Sequence, residues 1–319
     1  MCYRIPNYKP VLTEIRGMHL SGTVVPMATP TASGSGDVDV PTLERFTESL
    51  VDAGVHGLFP GSSIGEFSSL TPEQNRTVVE TVAATVDGNT TVFAGCGDTS
   101  VQGVVDNARA AAAADADVAV VVAPYYLSTT QEGLEAFFTR VADRSPLPLV
   151  LYNIPPLTGN AIGLDTVETL AAHEGVVGLK DTSGDLKYHH RIVRRTDDEF
   201  AVFQGATELA AASLDLGADG IIAGPANVFP RHLARLYEAH AADDHDTVAR
   251  LMEHVVAPMV SATADVPSAP AIKHLVAVDG TNIGDALPPL PTLSDAECDR
   301  LERAYGSVVD AIEDGLATQ

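Results

Sequence analysis

Short, continuously apolar runs alternate along most of this chain with longer segments of helical period. The runs end near Val25, Phe59, Gly95, Ala123, Tyr152, Lys180, Gln204 and Ala223. Each has strand length, and the lack of in-out polarity suits parallel strands covered on both faces. Eight such runs at spacings of roughly 20–35 residues, each followed by a helical segment, are the rhythm of an α/β fold of the (β/α)8 TIM-barrel class. The helices carry readable ends. Thr71-Pro72-Glu73 opens one with proline in its first turn, and Asp52-Ala53-Gly54 closes another with glycine. Ala108–Ala114 is the apolar stretch of a third, and Asp165 to Glu174 reads as the helix between the fifth and sixth strands. After Pro230 the strands cease. Residues 231–264, 268–279 and 294–315 read as helices, and 285–291 as an extended linker. The expected organisation is an N-terminal arm over 1–17, a barrel over 18–240 and a small C-terminal helical bundle over 241–319.

Composition narrows the setting. The chain has 319 residues and a formal net charge of −24. Its acids are spread over the whole length, as in Asp197-Asp198-Glu199 and Asp243-Asp244, with no acidic tail. Of the 19 basic residues only Lys9, Lys180, Lys187 and Lys273 are lysines. An acidic, lysine-poor surface points to high salt, where self-repulsion is screened; a basic partner is the other reading of the same charge. No basic patch suggests nucleic-acid binding. Cys2, Cys96 and Cys298 have no paired spacing, no apolar run reaches membrane-span length, and the first residues lack a signal-peptide core. The expectation is a cytoplasmic protein without membrane contact.

In a (β/α)8 barrel the chemistry sits at the C-terminal ends of the strands. There the sequence places Gly61-Ser62-Ser63-Ile64-Gly65-Glu66, Tyr125-Tyr126, Tyr152, Lys180, Gly205 with Glu208, and Gly224. Lys180 alone among the lysines ends an apolar strand. Burial favours a free amine, which attacks carbonyls, and a tyrosine on the next strand can move the protons of Schiff-base chemistry. A lysine paired with Asp181 or Glu66 at the barrel rim is the structural alternative, just as Tyr152 read alone could be a packed aromatic. The ten histidines show no metal spacing; His189-His190 and His240/His245 read as solvated helix positions.

The motifs resemble those of the dihydrodipicolinate synthase / N-acetylneuraminate lyase family, Schiff-base enzymes built on (β/α)8 barrels. The likeness runs from Gly22-Thr23 to Leu293-Ser294 and rests on four motifs. Gly61–Glu66 is similar to the family's GTTGE, Tyr152-Asn153-Ile154-Pro155 to its YNxP, and Gly178–Asp185 to its Schiff-base segment; Ala218–Pro230 has the form of its eighth strand. The resemblance implies Lys180 as the nucleophile toward pyruvate or another 2-oxo acid, with no cofactor. Tyr152 would be the proton carrier, and Ser62 and Ser63 would hold the carboxylate. Tyr126 is grouped with the catalytic pair and matches a tyrosine at the tight dimer contact of the synthases. Thr182, Gly205, Glu208 and Gly224 complete the substrate-binding set, and a homotetramer is implied. Ile64 is an extra residue in the GTTGE-like loop and leaves the roles of Ser62 and Ser63 open.

Within the family, Leu157 stands where synthases that accept aspartate semialdehyde carry an arginine. Loss of that bidentate partner disfavours a second carboxylate. The expected activity is therefore a class I aldolase that cleaves a 2-keto-3-deoxy sugar acid, such as 2-keto-3-deoxygluconate, to pyruvate and an aldehyde such as glyceraldehyde. Among such enzymes it would resemble one from a halophile. Alternatives within the family are 4-hydroxy-tetrahydrodipicolinate synthase, N-acetylneuraminate lyase and a keto-deoxy-acid dehydratase. The alternative of another class is a non-catalytic small-acid binding protein.

Overall fold

The computed structural model describes residues 14–15, 18–86, 88 and 90–316. Most of the N-terminal arm expected over 1–17 lies outside the described residues. Eight parallel strands follow: β1 (Gly22–Pro26), β2 (Gly57–Phe59), β3 (Thr91–Gly95), β4 (Val118–Val122), β5 (Leu149–Asn153), β6 (Val176–Asp181), β7 (Ala201–Gln204) and β8 (Gly220–Ile222). They close in sequence order, β8 pairing with β1, into a barrel with helices between the strands, the (β/α)8 TIM fold. Every expected strand end falls within one residue of the observed one.

Side-chain alternation divides the core in two. In β4, Val118, Val120 and Val122 fill the barrel interior, while Ala119 and Val121 pack outward against the helices. Phe59, Phe93 and Phe203 occupy the interior with them. In β6 the alternation changes phase. Leu149 pairs with Val176 but Val150 pairs with Gly178, so Val177 is an extra residue on that strand. Val177 faces the interior and Leu179 the helices. The shift turns Lys180 inward and Asp181 outward. Gly178 is required beside the irregularity, because a Cβ there would lie 2.6 Å from the carbonyl oxygen of Ala201.

Two expectations for the C-terminal region change. The helix expected over 231–264 is broken into Pro230–Ala241 and a run from His245 to Thr263. Asp243 takes a left-handed conformation (φ 58°), and the Asp244 side chain caps the second helix by accepting from Thr247 N. Two adjacent aspartates favour a turn and cap over helix interior. A π turn at Met252–Val256 precedes Pro258, whose missing N–H a regular helix would need. The linker at 285–291 is not wholly extended: Leu290 N donates to Leu287 O and closes a turn. Helices Ser268–Val278 and Asp295–Glu313 form as expected, the latter with a Ser294/Glu297 capping box. Among the described residues no helix is long and apolar enough to cross a membrane.

Candidate active site

Tyr152 and Lys180 are partners in the β5–β6 register, which puts the phenol and the amine side by side at the C-terminal mouth of the barrel. Both side chains are buried. Lys180 Nζ lies 4.0 Å from the centroid of the Tyr152 ring and 5.3 Å from that of Phe59. The Tyr152 and Phe59 rings meet edge to face, which fixes the phenol.

The two carboxylates that could have paired with Lys180 are committed elsewhere. Glu66 lies 2.7 Å from Lys273 Nζ. Asp181 faces away from the barrel, where it accepts from Asn153 Nδ2 at 3.0 Å and from Ser183 N and Oγ, and stands 3.5 Å from His189 Nδ1. Among the described residues no carboxylate lies within ion-pair distance of Lys180 Nζ. The rim-ion-pair alternative therefore does not describe this lysine.

Above Lys180 opens a cavity of about 580 Å³. Ser63, Thr182, Gly205 and Gly224 line it together with Lys180 and Tyr152. The Thr182 hydroxyl oxygen is buried and has no hydrogen-bond partner among the described residues. It faces Gly205, where a Cβ would come 2.0 Å from Thr182 Oγ1 and 2.9 Å from Lys180 Cε. Glycine at 205 thus leaves room for both groups. Gly224 similarly admits Ile64, whose Cδ1 would be 2.9 Å from a Cβ there. The inserted residue is accommodated as part of the cavity wall.

The remaining expected residues fall elsewhere. Ser62 is buried beneath the loop; its Oγ contacts Met27 O at 3.3 Å and accepts from Gly65 N at 3.0 Å. Of the two, Ser63 is the one that lines the cavity. Glu208 is exposed on the turn Thr207–Leu209 and does not line the cavity, because the short turn carries it outward. Tyr126 is 92 % exposed with φ 76°, outside the cavity of its own chain, whereas its neighbour Tyr125 lines the cavity. Burial, reinforced by the charge of Asp98, pushes the Tyr125 phenol above its ordinary pKa.

Two helix residues are more buried than their sequence context suggests. His189, expected to be solvated, is fully buried behind β6 against Asp181. Lys273 sits on helix Ser268–Val278 and is buried as well. Both lie on helices whose inward faces are set by barrel packing.

Residues 19–306 match the Dihydrodipicolinate synthetase family. This chain belongs to that family. Enzymes of the Dihydrodipicolinate synthetase family work through a covalent Schiff base on a lysine and need no cofactor, and they are lyases. A relative from Methanoculleus marisnigri, named 4-hydroxy-tetrahydrodipicolinate synthase, is 35% identical over 83% of this chain and 91% of its own length. One of the same name from Staphylococcus saprophyticus is 33% identical over 91% and 97%. Among solved family structures, a prophage protein from E. coli K12 in complex with pyruvate superposes with TM-score 0.87 at 28% identity, covering 91% of this chain and 99% of that one. A dihydrodipicolinate synthase from Bacillus anthracis gives TM-score 0.86 at 28% identity, covering 90% and 98%.

Proposed function

We propose that Lys180 forms a Schiff base with the 2-oxo group of pyruvate and that the enzyme makes or breaks the bond between pyruvate C3 and an aldehyde carbon. The observation that carries this reading is the buried amine, without a carboxylate partner among the described residues, held against the Tyr152 ring at the barrel mouth. Lys180 Nζ attacks C2, and water leaves as the imine forms. The iminium then accepts the electrons of the C3–C4 bond in cleavage, or releases a C3 proton in condensation. Tyr152 carries the proton to or from the aldol oxygen. Ser63 and the Thr182 hydroxyl, which has no partner among the described residues, would receive the pyruvate carboxylate.

For the aldehyde, kinship and cavity point different ways. The relatives' name supports the synthase, whose second substrate is aspartate semialdehyde, over the sugar-acid aldolase expected from sequence. The cavity supports an aldehyde that brings no carboxylate: among its described lining residues Lys180 is the one cation, and the side chain at 157 is leucine. A buried carboxylate left without a donor is costly, so we place the uncharged aldehyde first. Glyceraldehyde meets the charge requirement, although Glu208, expected in the substrate-binding set, lies outside the cavity. Turnover with pyruvate plus glyceraldehyde, and cleavage of 2-keto-3-deoxygluconate, should exceed turnover with pyruvate plus aspartate semialdehyde by at least about 10²-fold in kcat/KM. The reverse order would establish the synthase reading.

We also propose that the chain works as a homotetramer adapted to molar salt. Tyr126, Leu127 and Leu157 expose large apolar side chains on the loops after β4 and β5, and Asn160 ties these loops together through Pro124 O and Leu127 O. With a net charge of −24, assembly brings acidic surfaces together. Screening lengths of about 10 Å at 0.1 M and about 3 Å at 1 M salt make that repulsion strongly salt-dependent. Sedimentation should show tetramer in 3 M KCl and smaller species at 0.1 M, with Tm rising between the two. A salt-independent monomer would remove both halves of this proposal.

A further inference from the structure

The second buried lysine lies on helix Ser268–Val278. Lys273 Nζ forms an ion pair with Glu66 Oε1 (2.7 Å) and donates to Thr31 Oγ1 (3.0 Å) and Asp285 O (2.9 Å). Glu66 has no exposed side-chain surface, sits at φ 58° and accepts from Leu287 N through its other oxygen. The pair thus joins the loop carrying Ser63 to helix Ser268–Val278 and to the segment 285–290. These C-terminal elements supply Ser268, Ala269 and Leu290 to the cavity wall. Burial lowers the Lys273 pKa, and the Glu66 carboxylate opposes that shift by favouring the ammonium form.

Glu66 also lines the cavity above Lys180. The titratable groups around that cavity are Glu66, Tyr125, Tyr152 and Lys180, so Glu66 is its one carboxylate among the described residues. Asp181 follows Lys180 in sequence but faces His189 on the far side of β6. Around Lys273 the further acidic residue is Asp285, which acts through both its charge and its carbonyl. An unneutralised carboxylate beside a low-dielectric cavity would stabilise an ammonium at Lys180, the form that cannot attack pyruvate.

We propose that Lys273 is a positioning residue that sequesters Glu66, so that the active-site cavity holds no free carboxylate to compete for Lys180. This rests on Lys180 being the Schiff-base lysine. The proposed role is distinct from that of a strut, because it concerns charge as well as geometry. Its clearest signature is the pH at which pyruvate is captured.

The test is the rate of borohydride-trapped pyruvate adduct formation, measured against pH in the full-length enzyme. Lys273→Gln keeps donors for Thr31 and Asp285 O but releases the Glu66 charge. Its acid limb should move to higher pH by on the order of one unit. The double variant Glu66→Gln/Lys273→Gln removes both charges and should bring the limb back to the wild-type position. Glu66→Gln alone leaves an unpaired cation nearby and should move the limb to lower pH, an independent reading if Lys273→Gln does not fold. Lys273→Arg, which keeps the charge, should leave the limb in place. Limbs that coincide in all variants, even with slower trapping, would reduce the pair to a strut and overturn the proposal. A wild-type enzyme that traps no pyruvate would overturn the Schiff-base reading itself, so the two failures are distinguishable.

Discussion

Lys180→Ala will leave no borohydride-stable pyruvate adduct and will lower turnover by about 10⁴-fold or more, the scale on which loss of a covalent nucleophile acts. Wild-type enzyme should gain one pyruvyl group per chain, on Lys180. The competing lysines among the described residues are poorly suited. Lys273 is fully engaged by Glu66, Thr31 and the carbonyl of Asp285, and Lys187 is exposed on the outer helix that follows β6. Mass spectrometry that locates the adduct on either of them, or finds none, would sink the assignment. The fold of Lys180→Ala should survive, because no ion pair is broken among the described residues.

Tyr152→Phe separates binding from proton transfer. The phenylalanine keeps the ring beneath Lys180 Nζ and its edge-to-face contact with Phe59, so burial and packing are preserved. Pyruvate should still be trapped on Lys180. Turnover should fall by roughly 10²–10⁴-fold, the usual contribution of a positioned acid–base group. Near-normal turnover would leave Tyr152 as a packing residue only. Since neither variant removes more than a few buried atoms, thermal unfolding close to wild type is expected for Tyr152→Phe and separates lost chemistry from lost structure.

The barrel was legible because its strands are short apolar runs whose ends coincide with turn and cap signals. Lys180 and Tyr152 were legible for the same reason: each terminates such a run. Sequence could not show that pairing in β6 skips Val177 and thereby turns Lys180 inward, since an irregularity of one residue depends on the neighbouring strand. Nor could it separate Ser62 from Ser63, because the inserted Ile64 leaves the loop path undetermined until Gly65 folds back onto Ser62 Oγ. Tyr126 and Glu208 sit at the right points in the chain, but their loops carry them away from the cavity. His189 and Lys273 were missed because helix burial is decided by what packs against each face. A usable signal existed for Lys273: in a chain this poor in lysine, each one retained invites the question of what it pairs with.

The distribution of lysines has a practical consequence for handling the enzyme. Two of the four are buried, and Lys187 is the exposed one among the described residues, with Lys9 outside them. Amine-directed labels, crosslinkers and immobilisation resins will therefore find few anchors on this surface. Conjugation should be sluggish, and a dye attached at Lys187 would sit on the outer helix Leu186–Arg195. A fluorophore placed there could report assembly without being displaced by pyruvate.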